Sequence, residues 1–428
     1  RRLSRDEGGQ GRGPRTGVPG PIAMSTQATG PGVLPLRDAA FWQDPYPAIE
    51  EARRRHRVAR SHSGELIILS AADAEEASAR ADLVPLGVDA LDRLGVKDGP
   101  FRRWRALSLN AQDGDNHTRL RSLVMAAFTP RQVERVRETL TRSTESLIAA
   151  LGDAPVEVHS AIGREVPLSS ICVFLGIPVE DRYRIEKFMV GTEEGFSYPM
   201  TQEKQDRANG GIVAMYDYTT ELVERRRAEP GDDLVSALIA VEEAGERLSH
   251  DELMAMVVNL IGGATGSSDA GIANLVHLLA TERGVHEELH NNPALVEAFV
   301  EEALRFRPPF RSTRRKAVND LELAGEHLAA GETVYISRQA ANRDPDRFVD
   351  PNRFDVHRPR KRHLSFGFGA HYCLGQALAR VNLNVAAAVI TRRWEAIELL
   401  EEPRRVPFEP AERFESLRVQ PRLAPNRS

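Results

Sequence analysis

The chain has 428 residues, a formal charge of −5, and hydrophobic residues at 41% against 28% charged. That length can bury a large core, and the acidic balance excludes a general nucleic-acid binder. No run of about 18 apolar residues occurs, which excludes a membrane-spanning helix. The two cysteines, Cys172 and Cys373, cannot build a disulfide framework, so a reducing, cytoplasmic setting is expected.

In chain order, residues 1–30 open with an Arg-, Gly- and Pro-rich stretch without periodicity. They are read as disordered, with Met24 as a candidate start, and residues 31–428 as one domain. Residues 47–56 predict a short helix. Residues 58–70 predict a strand pair turning at Ser63-Gly64, and 71–81 a helix. Residues 82–113, with Gly87, Gly95, Gly99 and Pro100, read as a long irregular loop, which in a folded domain is usually functional. A helix then begins near His117 and stops before Pro130. His117 and Arg121 lie four apart on it and share a face.

Further helices are predicted at about 131–151, 162–175, 180–192, 203–227 and 233–243. Cys172 falls in an apolar run and reads as core. The Gly-, Phe- and Tyr-containing stretch 193–201 reads as a turn. A long helix over about 249–280 carries Gly262, Gly263, Gly266 and Gly271. Each mid-helix glycine costs about 1 kcal/mol relative to alanine, so close passage of a ligand, a local bulge or tight helix packing must compensate. The next helix ends with Glu302 and Arg305, three apart and able to pair, ahead of Pro308-Pro309. Short strands are predicted at 321–323 and 333–337, and a hairpin near 407–423.

The most informative stretch is Phe366-Gly367-Phe368-Gly369-Ala370-His371-Tyr372-Cys373-Leu374-Gly375, which leads into a helical run from Gln376. A cysteine there meets backbone N–H groups and the positive end of the helix dipole, which lower a thiol pKa. Gly369 and Gly375 let the loop adopt angles closed to other residues and approach a flat ligand. His371 can reach an anionic edge of that ligand. A lone thiolate suits one haem iron better than zinc, which takes about four ligands.

This F-x-x-G-x-H-x-C-x-G pattern, filled by Phe366, Gly369, His371, Cys373 and Gly375, resembles the cysteine loop of the cytochrome P-450 family. The resemblance implies a mainly α fold with small β-sheets, a single large domain around a buried haem b, and Cys373 as the axial thiolate. His117-Thr118-Arg119-Leu120-Arg121 resembles the family's H-x-x-x-R, whose cations His117 and Arg121 hold a haem propionate. Arg315-Lys316-Ala317 resembles its propionate-binding R-x-A, with Arg314 as the alternative ligand. Glu302 and Arg305 match E-x-x-R, and Pro351-Asn352-Arg353-Phe354 supplies Arg353 as the third member of a buried triad. In the family, loop 82–113 lines the substrate pocket and 193–201 is a lid.

The long helix departs from the family's A/G-G-x-D/E-T. The ungapped register aligns Gly263-Ala264-Thr265-Gly266-Ser267, which keeps an alcohol at Ser267 and places Gly266 where the acid belongs. A shifted register puts Thr265 at the acid and Gly266 at the alcohol. Ser267, Thr265 and Gly266 are therefore the catalytic positions, with the usual proton relay incomplete. The implied activity is insertion of one atom of O2 into a small organic substrate, in specialised metabolism. Electrons come from a ferredoxin or similar separate partner, and the protein is expected to be a monomer off the membrane. Alternatives are a peroxide-using or oxidative-coupling member, and a haem-binding sensor without turnover.

Overall fold

The computed structural model describes residues 31–196, 199–243 and 248–424. The expectation for residues 1–30 lies outside them, as does Tyr198 of the expected lid.

Helix starts are set by side-chain oxygens that close open backbone N–H groups. Thr129 accepts from the Gln132 amide while Gln132 accepts from that of Thr129, with Pro130 in the first turn of helix Pro130–Leu151. Ser249 and Glu252 do the same for the long helix His250–Thr281. That helix is buried over most of its length and packs against helices Glu165–Leu175 and Gln376–Arg393, so it crosses the centre of the core.

Its glycines have different causes. A Cβ on Gly271 would come within 2.9 Å of Leu383 Cδ2, so this glycine permits close packing of the cysteine-loop helix. Gly262 and Gly263 have nothing within 4 Å of a Cβ. They expose surface although Ile261 and Thr265 beside them are buried, so the helix borders open space on this side.

The predicted strand pair forms as Val58–Arg60 against Leu66–Ile68. It extends into a five-stranded sheet through Thr333–Ser337, Ser312–Ala317 and Leu83–Pro85. The loop expectation for 82–113 is corrected: besides that edge strand, the segment forms helices Asp89–Arg93 and Pro100–Leu107. Phe101 and Trp104 bury one face of the second helix. The local hairpin at 407–423 is also corrected. Arg418–Leu423 pairs with Trp394–Leu399, and only a single bridge, Arg405 with Phe414, is local.

The carboxylate of Glu302 ties a helix to the chain leading into the cysteine loop. Arg305 meets it with Nε–Oε2 and Nη2–Oε1 both at 2.7 Å. Asp355 N–H donates to Oε1 at 3.0 Å. Arg305 also donates to the carbonyls of Asn342 and Pro351, each at 2.9 Å. The third cation is Arg358, with Nε 3.1 Å from Oε1, and not Arg353. Arg353 sits in a turn closed by its N–H on Asp350 O, with its side chain exposed. It contributes only its carbonyl, which accepts from Arg305 and Arg358. Its guanidinium faces water, while Arg358 folds back into the core.

Removing one partner of such a buried network leaves charge uncompensated, so Glu302→Ala is expected to cost about 3–5 kcal/mol in urea unfolding. Arg353→Ala should stay within about 0.5 kcal/mol. Equal losses would return Arg353 to the triad.

Candidate functional site

The loop before helix Gln376–Arg393 is shaped by backbone bonds. Cys373 N–H donates to Phe366 O at 2.9 Å, Tyr372 N–H to Gly369 O at 3.0 Å, and Gly367 N–H to Leu364 O at 2.8 Å. Gly369 has φ +72°, and a Cβ there would lie 2.6 Å from Ser78 O; it is needed for close approach of the loop to the end of helix Ala71–Ala79. Gly375 has an ordinary φ of −83° and caps the helix. Its N–H bonds the cysteine sulfur. Phe366 is buried beneath the Arg380 guanidinium, 4.4 Å from its ring centre. Arg380 is in turn clamped to Glu301 at 2.7 Å, with His363 on the same carboxylate at 3.3 Å. Burial works against Glu301's charge, yet these two donors hold its pKa at about 2.

The thiol expectation is corrected in sign. Burial pushes the Cys373 pKa up, and the Gly375 N–H with Arg338, Arg121 and Arg380 pull it back only in part. The thiolate at this position therefore calls for a further cation against it.

Around the loop the cations converge. His117 is buried and stacks on His371, ring centres 4.1 Å apart. His371 Nε2 lies 3.1 Å from Asp113 Oδ1. Arg121 donates to Tyr372 O at 2.7 Å. Of the two adjacent arginines, Arg315 is buried and Arg314 exposed, because they alternate along one strand. Arg314 instead covers the Tyr335 ring at 4.5 Å. Arg338 was missed from sequence. It follows directly on strand Thr333–Ser337, and a position opening a turn from a buried strand was the available signal. Its Nη2 lies 3.7 Å from a Cβ on Gly367, and its Nε is buried without a hydrogen-bond partner among the described residues.

Burial, then the charges of His371 and Arg121, depress the His117 pKa to about 4. Burial also lowers His371, Arg315 and Arg338, the last to about 10. Such crowding of basic groups, with Asp113 the carboxylate among them, fits an anionic group lying between them. An acidic edge of haem has that chemistry, and the open side of Gly262 and Gly263 gives a flat group room. His117, Arg121, Arg315, Arg338 and His371 would hold its acids, and Cys373 its iron.

On the long helix, Thr265 is buried with its hydroxyl 3.7 Å from Met189 Sδ, so it faces the neighbouring helix Arg182–Glu193. Gly266 points to the same neighbour. Ser267 is partly exposed, and its side chain makes no hydrogen bond among the described residues. Near the expected lid, Phe101 and Phe196 meet edge to face at 5.0 Å, joining helix Pro100–Leu107 to the segment after Glu193.

The family model described as Cytochrome P450 matches residues 96–417. The mycinamicin IV hydroxylase/epoxidase of Micromonospora griseorubida is 37% identical over 296 residues, 68% of this chain and 73% of that protein. The 6-deoxyerythronolide B hydroxylase of Saccharopolyspora erythraea is 37% identical over 302 residues, 70% and 73% of the two chains. Among solved structures, that of CalO2 superposes with a TM-score of 0.84 at 26% identity, over 90% of this chain and 97% of that one.

Charge-assisted hydrogen bonds to an acid are worth about 1.5–3 kcal/mol. Arg315→Leu and Arg338→Leu are each expected to speed transfer of haem to an apomyoglobin acceptor by about tenfold or more. Arg314→Leu should leave the rate within about twofold. A fast-releasing Arg314 variant would reassign the strand's ligand.

Proposed function

This chain belongs to the cytochrome P450 family and is a monooxygenase, and we propose that it oxygenates a macrolactone-type polyketide in specialised metabolism, using electrons from a separate ferredoxin. Relatives named for mycinamicin IV and 6-deoxyerythronolide B support the substrate class. The observation that carries the cofactor assignment is the set of buried and half-buried basic side chains around the Cys373 loop. Haem supplies the oxygen chemistry when bound, and a thiolate on its iron favours O–O cleavage.

The chain's own residues have four tasks. Cys373 provides the thiolate, held by the Gly375 N–H. His117, Arg121, Arg315, Arg338 and His371 neutralise the acids. The lid segment and helix Pro100–Leu107 exclude water from the substrate. Ser267 offers a hydroxyl that can donate into the site, where a fixed donor in a dry environment stabilises developing charge. Gly266 beside it carries no acid. The monooxygenase relatives favour turnover over the sensor alternative.

Cys373→Ser is expected to abolish the red-shifted absorption band of the reduced carbon monoxide complex. Retention of that band would exclude Cys373 as the ligand.

For electron entry, the chain near the cysteine loop exposes Arg360, Lys361 and Arg362. Arg358, which the sequence groups with them, is withdrawn onto Glu302. A small acidic ferredoxin would associate with such a face at a salt-dependent rate. Reversing the three exposed charges is expected to slow first-electron transfer by about tenfold at low salt, while Arg358 changes should act through stability. A rate indifferent to ionic strength and to the reversal would place the docking face elsewhere.

A further inference from the structure

The long helix turns Gly266 toward the end of helix Arg182–Glu193, and a carboxyl group already stands there. A Cβ on Gly266 would lie 3.5 Å from Glu193 Oε1, an ordinary contact distance. The acid absent from position 266 is thus replaced in space by one borne on the adjoining helix. Glu193 lines a small cleft of about 30 Å³, with Glu186, Met189, Thr265, Gly266, Asp269 and Arg413. That is room for one or two waters.

Three observations separate Glu193 from an ordinary ion-pair partner. First, among the described residues its carboxyl has no hydrogen bond or ion pair. Second, the neighbouring charges are already committed. Asp269 holds His159 at 2.7 Å and Arg413 at 3.8 Å, and Glu186 reaches Arg164 at 3.9 Å. Third, Glu193 is exposed, so its carboxyl meets solvent directly while one edge of it borders the cleft. The surrounding protein still disfavours its charge: burial raises its pKa, opposed by Arg413 and Arg164 and reinforced by Asp269 and Glu409. A carboxyl that stays protonated more readily than usual, with access to water, can both give and regain a proton.

We propose that Glu193 supplies protons to the Ser267 hydroxyl, in the place of the acid missing at Gly266. Its O–H proton passes to a cleft water, which releases one to Ser267 Oγ as that hydroxyl gives its own into the site. The carboxylate left at Glu193 is reprotonated from solvent through the cleft mouth, where Arg164 and Glu186 are part-exposed. No electron moves in these steps; electrons come from reduced ferredoxin. Glu193 acts through Ser267, without touching the substrate.

The inference rests on the monooxygenase reading. Wild-type holoenzyme without the thiolate band would fail that reading, whereas the following results bear on Glu193 alone. In holoenzyme supplied with ferredoxin, its reductase and O2, with and without 6-deoxyerythronolide B as probe, hydrogen peroxide released per O2 consumed is measured. Oxygenation and peroxide release each take up two protons, and full reduction to water takes four; the first and last need timely delivery from the fixed donor at Ser267, so slowing that delivery favours peroxide. Glu193→Gln is expected to raise the ratio about threefold or more and to enlarge the solvent isotope effect on O2 consumption. Adding Gly266→Asp to Glu193→Gln should return the ratio toward wild type, which restored packing alone would not do. Independently of turnover, wild-type protein should show a protonated-carboxyl infrared band that persists to higher pH than that of an ordinary carboxyl and is lost in Glu193→Gln. An unchanged peroxide ratio, or a band that survives the substitution, overturns the proposal. A higher ratio that Gly266→Asp fails to lower, with a depressed unfolding midpoint, makes Glu193 a structural residue and overturns it equally.

Discussion

The gathering of basic side chains in a largely desolvated place, with a single carboxylate among the groups named, is the constraint on which this fold turns. His117, Arg121, Arg315, Arg338 and His371 come from a helix, two sheet strands and their exits, and the cysteine loop. They converge with Asp113 as their carboxylate. The burial that depresses their pKa values is the same burial that makes an unpaired cation costly. The protein alone therefore holds an electrostatic debt that an acidic ligand removes, and folding and ligand capture share one free-energy term.

A second network keeps the first in register. Glu302, between Arg305 and Arg358, joins helix Val296–Phe306 to the chain that runs on to the cysteine loop. The preceding residue, Glu301, reaches Arg380 on the following helix. Adjacent acids on one helix thus brace the approach to the cysteine and the exit from it. Neither bridge stands alone: carbonyls at 342, 351 and 353 also bind Arg305, which is how a desolvated pair is made tolerable.

Local spacing made much of this legible. The cysteine loop, the His117–Arg121 face and the Glu302–Arg305 pair each lie within a few residues, so periodicity and motif sufficed. What escaped depended on chain brought from far away. Arg358 and not Arg353 meets Glu302 because a turn at Asp350 directs Arg353 outward. Arg315 prevails over Arg314 through sheet register, which the sequence left open. Strand Trp394–Leu399 drew no expectation, because its partner Arg418–Leu423 lies some twenty residues further on. The departure at Gly266 could be seen in sequence, but nothing in sequence ties it to Glu193, 73 positions earlier.

The contact at Gly271 has a consequence for how such a site can vary. Gly271 lies one helical turn beyond Ser267, about 6 Å along the axis, and meets Leu383 on the helix that starts just after Cys373. A methyl group there would have to displace the tip of the Leu383 side chain. The crossing acts as a fixed gauge: it sets the gap between the hydroxyl side and the sulfur side of the site independently of every loop around it. The segments at 82–113 and after Glu193, to which we assign the substrate side, can then be rebuilt for new molecules, while the tolerance of the central slot stays machined into two helices.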